Sequence, residues 1–151
     1  MKVLMICLGN ICRSPLAEGV LAQKVDEQSL DWKIDSCGTG GWHAGEKPDK
    51  RSIDVAKKNG IDISRQQARK FRCTDIDSFD MLFVMDKQNY DDVIRNCHTD
   101  VEKAKVRLIL SEVDGWENAV VPDPYYGGDD GFDKVFMMID KACDAIIEKY
   151  K

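Results

Sequence analysis

Four apolar residues, Val3-Leu4-Met5-Ile6, run straight into Cys7-Leu8-Gly9-Asn10-Ile11-Cys12-Arg13-Ser14 and then Pro15. The apolar run reads as a buried first strand. A serine followed by proline reads as a helix start, with Ser14 at the N-cap and Pro15 at the first helical position. Between strand and helix lies a tight loop in which a cysteine and an arginine bracket five residues, one of them glycine. Such a loop can wrap an oxyanion in backbone N–H groups and aim a thiolate at it. Phosphate chemistry is therefore the first expectation for the chain.

The rest of the pattern alternates strand and helix. Leu16, Val20, Leu21 and Val25 give one apolar helical face. Trp32 to Cys37 reads as a second strand, Gly38 to Gly45 as a glycine-rich loop, and Asp49 to Asn59 as a helix stopped by Gly60. Thr74 reads as the cap of a short helical turn. Met81 to Met85 reads as a third strand, Lys87 to Asn96 as a helix, and Val106 to Leu110 as a fourth strand. Asp114 to Gly131 is mostly loop, and Phe132, Val135, Phe136, Ile139, Ala142, Cys143, Ile146 and Tyr150 mark a long last helix. The alternation predicts a three-layer, Rossmann-like α/β fold: a twisted four-stranded parallel sheet with helices on both faces. Ligands of such sheets bind outside the carboxyl ends of the strands, where the Cys7 loop lies.

With 151 residues the chain suits one domain, 1–151, with no linker or repeat to divide it. A net charge of −5 argues against a general nucleic-acid binder but not against a local anion site. The apolar opening is too short for a signal peptide or a membrane span, so a reducing cytoplasm is expected. The six cysteines (7, 12, 37, 73, 97 and 143) contain no C-x2-C pair and there are only two histidines, His43 and His98. No metal site and no cofactor are expected from this inventory. Cys37, Cys73, Cys97 and Cys143 read as structural or incidental.

Each loop residue has a chemical use. A helix N-terminus and a nearby arginine favour the thiolate of Cys7, the form that attacks phosphorus. Gly9 lets the backbone pass close to the anion. Arg13 offers a planar fork to two equatorial phosphoryl oxygens, whose charge must be held in the transition state. Ser14 can donate its hydroxyl to the sulfur and help it leave, and Asn10 can hold a left-handed turn. Spacing alone decides little: six cysteines and seven arginines give roughly 0.3 such pairs by chance. Context argues for function, because a buried structural cysteine leaves Arg-Ser-Pro unexplained.

A second segment, Val121-Pro122-Asp123-Pro124-Tyr125-Tyr126-Gly127-Gly128, places an aspartate between two prolines. Taken alone it suits a plain tight turn. Beside a nucleophilic cysteine it suits a general acid, because stiffened backbone holds the carboxyl in place. A phosphocysteine enzyme needs one proton donor for the leaving oxygen and one base for the hydrolytic water. A single carboxyl serves both steps.

CLGNICRSP near the start and DPYYGG near the end resemble the low-molecular-weight protein tyrosine phosphatases. The resemblance covers essentially the whole chain, including Asp35-Ser36, Ala68-Arg69 and Phe79-Asp80 leading to Met85-Asp86. It implies a phosphotyrosine phosphatase I type fold and hydrolysis of phosphotyrosine and small aryl phosphates. It also implies roles: Cys7 as nucleophile, Arg13 as phosphate ligand, Asp123 as general acid then base, and Ser14 as aid to the leaving sulfur. Asn10 would brace the loop with Ser36. Leu8, Trp42, Tyr125 and Tyr126 match positions lining the crevice over the substrate ring, and an aromatic wall suits a phosphotyrosine ring. Trp32 and Trp116 read as lids over the core, and His43 either as an exposed bystander or as a residue that tunes substrate choice.

The partners implied are phosphotyrosine proteins or peptides, with neither nucleic acid nor membrane. A kinase is implied too, because both tyrosines match positions phosphorylated in some members. Cys12 is matched in the family as well; it is read either as a small apolar filler or as a reversible disulfide partner that guards Cys7 from over-oxidation. Some members carry a histidine that supports the loop asparagine, and Gln66 stands at the matching place.

Rival activities share the fold. Arsenate reductases need further cysteines near the end of strand three, where this chain has Val84-Met85-Asp86. Phosphoarginine phosphatases tend to carry threonine where Ile11 stands, so Ile11 favours phosphotyrosine. A phosphocysteine carrier must avoid hydrolysis and has no use for Asp123. A pure phosphoprotein-binding module would not turn over any phosphate ester.

Overall fold

The computed structural model describes residues 1–151, the side chain of Asp129 apart. Its order is β1 (Lys2–Cys7), α1 (Arg13–Glu27), β2 (Lys33–Gly38), α2 (Lys50–Lys58), α3 (Asp75–Ser78), β3 (Met81–Val84), α4 (Lys87–Ile94), α5 (Asp100–Ala104), β4 (Val106–Leu108), a 3₁₀ turn (Ile109–Glu112) and α6 (Asp129–Tyr150). The strands form one parallel sheet in the order β2-β1-β3-β4. This is the expected three-layer architecture.

Both faces of the sheet are covered, which is why β1 reads as an unbroken apolar run. Val3, Met5 and Cys7 face one core with Phe83 and Met85, under residues of α1, α2 and α6. Leu4 and Ile6 face the other with Leu82 and Val84, against Ile76 of α3 and Val93 of α4. The period of two along β1 thus splits one apolar run between two cores. Trp32 and Trp116 pack on the larger core as expected of lids.

The strand order creates the site. From β1 the chain steps to β2 on one side, then returns past β1 to β3 on the other. The carboxyl ends of β1 and β3 therefore flank a topological switch point, where open α/β sheets bind ligands. Cys7 ends β1 and Asp86 follows β3.

Several boundaries depart from the sequence reading. Helix α1 starts at Arg13 with Cys12 as N-cap, so Ser14 is not the cap and Pro15 is the third helical residue. Proline is tolerated there because the first-turn N–H groups have no partner inside the helix. Thr74 precedes α3 but its side chain caps nothing. The fourth strand ends at Leu108, and the 3₁₀ turn brings Glu112 inward to Arg107, Lys149 and Tyr150. Helix α5, to which the sequence reading assigned nothing, carries a capping box between Thr99 and Glu102, a signal present in the sequence as Thr-x-x-Glu. Helix α6 begins at Asp129, three residues before Phe132.

Candidate active site

The Cys7–Ser14 loop curls around the sulfur. The Asn10 N–H donates to Cys7 Sγ at 3.3 Å, and Ser14 Oγ lies 3.0 Å from the same sulfur. Asn10 makes this possible with a left-handed backbone, φ 57°, a conformation asparagine tolerates better than most residues. Its side chain is fully used. Nδ2 donates to Ser14 Oγ (2.8 Å) and to Ser36 Oγ (3.0 Å), and Oδ1 accepts the Arg69 N–H (3.0 Å). Because Ser14 Oγ accepts from Asn10, its own hydrogen is available to Cys7 Sγ, which is nearer than the Cys37 carbonyl at 3.4 Å. Ser14 was released from capping to do this, which is the physical meaning of the shifted helix start.

The loop also rests on β2. The N–H groups of Thr39 and Gly40 donate to the Cys7 and Leu8 carbonyls (2.9 and 2.8 Å). Gly38 permits the approach: a Cβ there would stand 2.7 Å from the Leu8 carbonyl oxygen and 3.0 Å from the Asn10 nitrogen, both backbone atoms.

Arg13, with a side chain 3% exposed, reaches back beneath the loop. Its Nη1 donates to Asp86 Oδ2 (2.6 Å) and to the Val121 carbonyl (3.0 Å). Among the described residues Nε and Nη2 have no hydrogen-bond partner, and Arg13 lines the crevice. That is a fork with one tine fastened and the remaining donors open to a phosphoryl group. Asp86 was not singled out from sequence as a site residue. Its position just past β3 was the available signal, and it does two things, since Oδ1 also caps α4 through the Asn89 N–H (2.9 Å).

Asp123 stands at the rim, its side chain 40% exposed and Oδ2 3.9 Å from Arg13 Nη2. Its Oδ1 accepts the Tyr125 N–H at 3.0 Å. The segment enters the site at Val121, whose N–H donates to the Met85 carbonyl (2.8 Å). Around these groups lies a crevice of about 450 Å³ lined by Cys7, Leu8, Ile11, Trp42, His43 and Tyr125 together with Gly9, Cys12, Arg13, Asp123 and Tyr126. Trp42 and Tyr126 are 72% and 93% exposed, large aromatic surfaces left unburied at its mouth. The Tyr125 and Tyr126 rings meet edge to face, 4.9 Å apart. His43 is half-exposed and lines the crevice: its ring lies over Gly9, where a Cβ would come within 3.1 Å, and Nδ1 is 2.8 Å from Glu46 Oε2.

Cys12 also lines the crevice, but burial pushes its thiol up to about 12, helped by the negative charge of Asp49. It therefore stays protonated. Gln66 does not support Asn10. Its Nε2 donates to the Pro15 carbonyl (3.1 Å), and its buried Oε1 has no hydrogen-bond partner among the described residues. Arg69 takes over through its backbone N–H, while its guanidinium is held by Asp35 and Asp75.

The support network ends on Glu18, whose Oε1 accepts from Ser36 Oγ at 2.7 Å. Burial pushes its carboxyl from 4.5 up to about 7, Asp35 adds to this, and Ser36 and Arg69 oppose it. The unfolded chain therefore loses this proton first as pH rises, and the folded state loses up to about 3 kcal/mol between these two values. Glu18→Gln is expected to be more stable than the parent at about pH 8, with the gain vanishing at about pH 4. Urea unfolding at both values checks this; an equal difference at both pH values would rule out the buried proton.

Comparison with known proteins agrees with this geometry. Residues 2–151 match the family model described as low molecular weight phosphotyrosine protein phosphatase. A protein of that name from Schizosaccharomyces pombe is 43% identical over 141 residues, 91% of this chain and 89% of that one. A protein tyrosine phosphatase structure from Entamoeba histolytica superposes with a TM-score of 0.92 at 36% identity, covering 99% of this chain and 96% of that one. A Drosophila arginine phosphatase gives 0.92 at 32% identity, covering 100% and 98%. With the family matched from Lys2 to Lys151 and the fold shared along its whole length, the chain belongs to the low-molecular-weight phosphotyrosine protein phosphatases.

Proposed function

We propose that residues 1–151 act as one catalytic domain that hydrolyses phosphotyrosine in two steps through Cys7. The thiolate attacks phosphorus in line with the tyrosyl oxygen, and the P–O bond breaks as the P–S bond forms. Asp123 gives its proton to the departing oxygen. Arg13 and the loop N–H groups hold the charge on the equatorial oxygens. Asp123 then takes a proton from water, which attacks phosphorus, and Cys7 departs as a thiolate aided by Ser14. The observation that carries this is the convergence of Cys7, Arg13 and Asp123 on one crevice, with Ser14 Oγ 3.0 Å from the sulfur.

Leu8, Trp42, Tyr125 and Tyr126 are proposed to hold the substrate ring, and Gly9, Asn10 and Ile11 to shape the phosphate seat. A phosphoarginine substrate is the second reading, favoured by the likeness to the Drosophila arginine phosphatase. Ile11 lines the crevice, and its apolar side chain supports the aryl ester. Parallel kcat/KM measurements on one peptide carrying phosphotyrosine or phosphoarginine are expected to favour phosphotyrosine by more than about 10-fold, the scale of a few apolar contacts. Ile11→Thr is expected to narrow the gap. A parent that prefers phosphoarginine reverses the assignment.

The setting proposed is the cytoplasm, with phosphotyrosine proteins as partners and neither nucleic acid nor membrane. No helix among the described residues is long and apolar enough to cross a membrane, and all six cysteines are free thiols. Peroxide would oxidise Cys7 to the sulfenic acid, and Cys12 is proposed to condense with it to a disulfide, releasing water. The exposure of Tyr125 and Tyr126 supports a tyrosine kinase as a further partner.

A further inference from the structure

We propose that Arg51, on α2, is a positioning residue that ties the general-acid loop to the phosphate loop. The inference rests on the assignment of Asp123 as general acid. Helix α2 starts against the phosphate loop: the Asp49 N–H donates to the Ile11 carbonyl at 2.7 Å, and Ser52 Oγ donates to the Cys12 carbonyl at 3.2 Å. Asp49 caps α2 by accepting the Arg51 N–H (2.8 Å). It also takes the Arg51 guanidinium in a two-pronged pair, Nε to Oδ1 and Nη2 to Oδ2, both at 3.0 Å. The guanidinium accordingly holds the Asp49 carboxyl below the usual carboxylate range.

The other side of the same group faces the acid loop. Nη2 also donates to the Tyr125 carbonyl at 3.0 Å, and the guanidinium lies 5.5 Å from the Tyr125 ring centre and 4.6 Å from that of Phe132. Phe132 belongs to the main core and is 2% exposed, so this end of the stack is rigid. Tyr125 in turn gives its N–H to Asp123 Oδ1. Rigid helix, guanidinium, Tyr125 and Asp123 carboxylate thus form one connected path.

Among the described residues the remaining hydrogen bonds of residues 122–127 are local, Tyr125 to Asp123 and Gly127 to Pro124 (3.1 Å), and Gly128 accepts the Gly131 N–H (3.0 Å) where α6 begins. Pro122, Asp123 and residues 125–128 are exposed, and Pro124 is the one buried among them. Among the described residues, Arg51 therefore supplies the one hydrogen bond that reaches residues 122–127 from outside the segment. A planar fork is needed, because it must pair with Asp49 along one edge, reach Tyr125 from the same Nη2, and lie between two rings. Lysine could keep the charge but not this geometry.

The test compares Arg51→Lys, Asp123→Ala and the double variant across aryl phosphates of graded leaving-group quality. Arg51→Lys is expected to lower kcat/KM for phenyl phosphate by about 10-fold and for dinitrophenyl phosphate by less than about 2-fold, because misplacing an acid matters only when the leaving oxygen needs a proton. In the Asp123→Ala background the same change should have no further effect on this ratio. A uniform loss for both esters, or an additive effect in the double variant, overturns the proposal. An Asp123→Ala variant indifferent to leaving group would refute the acid assignment itself. The clamp is then decided by amide hydrogen exchange of Tyr125, expected to quicken in Arg51→Lys and fatal to the proposal if unchanged.

Discussion

Replacing Cys7 by serine is expected to lower turnover of p-nitrophenyl phosphate by at least about 1000-fold, with little change in thermal stability. Serine is close in size, and the loop hydrogen bonds from Asn10 N–H and Ser14 Oγ can be made to oxygen as well as to sulfur. Chemistry rather than folding should therefore change. A hydroxyl is ionised far less readily than a thiol at neutral pH, so the attacking anion is lost. Arg13, the loop and the crevice remain, and inorganic phosphate should still bind. Acid quenching of the parent during turnover should trap a phosphoryl group on Cys7, and the variant should carry none. Full activity in Cys7→Ser would refute the phosphocysteine mechanism.

The second large effect belongs to Asp123→Ala. Loss of a positioned acid or base costs about 100- to 10,000-fold. That cost should appear with phenyl phosphate, whose oxygen needs a proton to leave. It should shrink to about 10-fold or less for the first step with dinitrophenyl phosphate, whose oxygen leaves as a stable anion. Rapid-mixing kinetics separates the steps: release of the phenol reports acid catalysis, and the later release of phosphate reports the base. The carboxyl is 40% exposed, and among the described residues its polar partners are the Tyr125 N–H and, at 3.9 Å, Arg13, so truncation strands little. Equal losses with both esters would remove the acid role and leave a binding role in its place.

Much of this was legible along the chain, wherever the signal was local. The apolar opening, the loop from Cys7 to Ser14, the proline-braced Asp123 and the alternation of strands and helices each carry their meaning within about ten residues. Errors arose where one residue faced a choice between local and distant partners. Ser14 has the sequence context of a cap, yet its hydroxyl is taken by Cys7 and Asn10, and the helix starts two residues early. Gln66 stands where support for Asn10 was expected, but the backbone N–H of Arg69 makes that bond. Helix α5 was missed although its capping box is plain in Thr99 and Glu102, because it buries no residue and has no apolar periodicity.

The sequence by itself determined the layered α/β fold and pointed to Cys7, Arg13 and Asp123 as the candidate nucleophile, phosphate fork and acid, because strand runs, turn residues and reactive groups are properties of short segments. Only the tertiary structure decided how these parts are held. The partner of Arg13 is Asp86, 73 residues away, and the clamp from Arg51 to Tyr125 spans 74. The proton on Glu18 is kept by burial under a network begun at Asn10. The reason is physical: hydrogen-bond geometry and desolvation depend on what the folded sheet brings within about 3 Å, and no spacing along the chain encodes that distance.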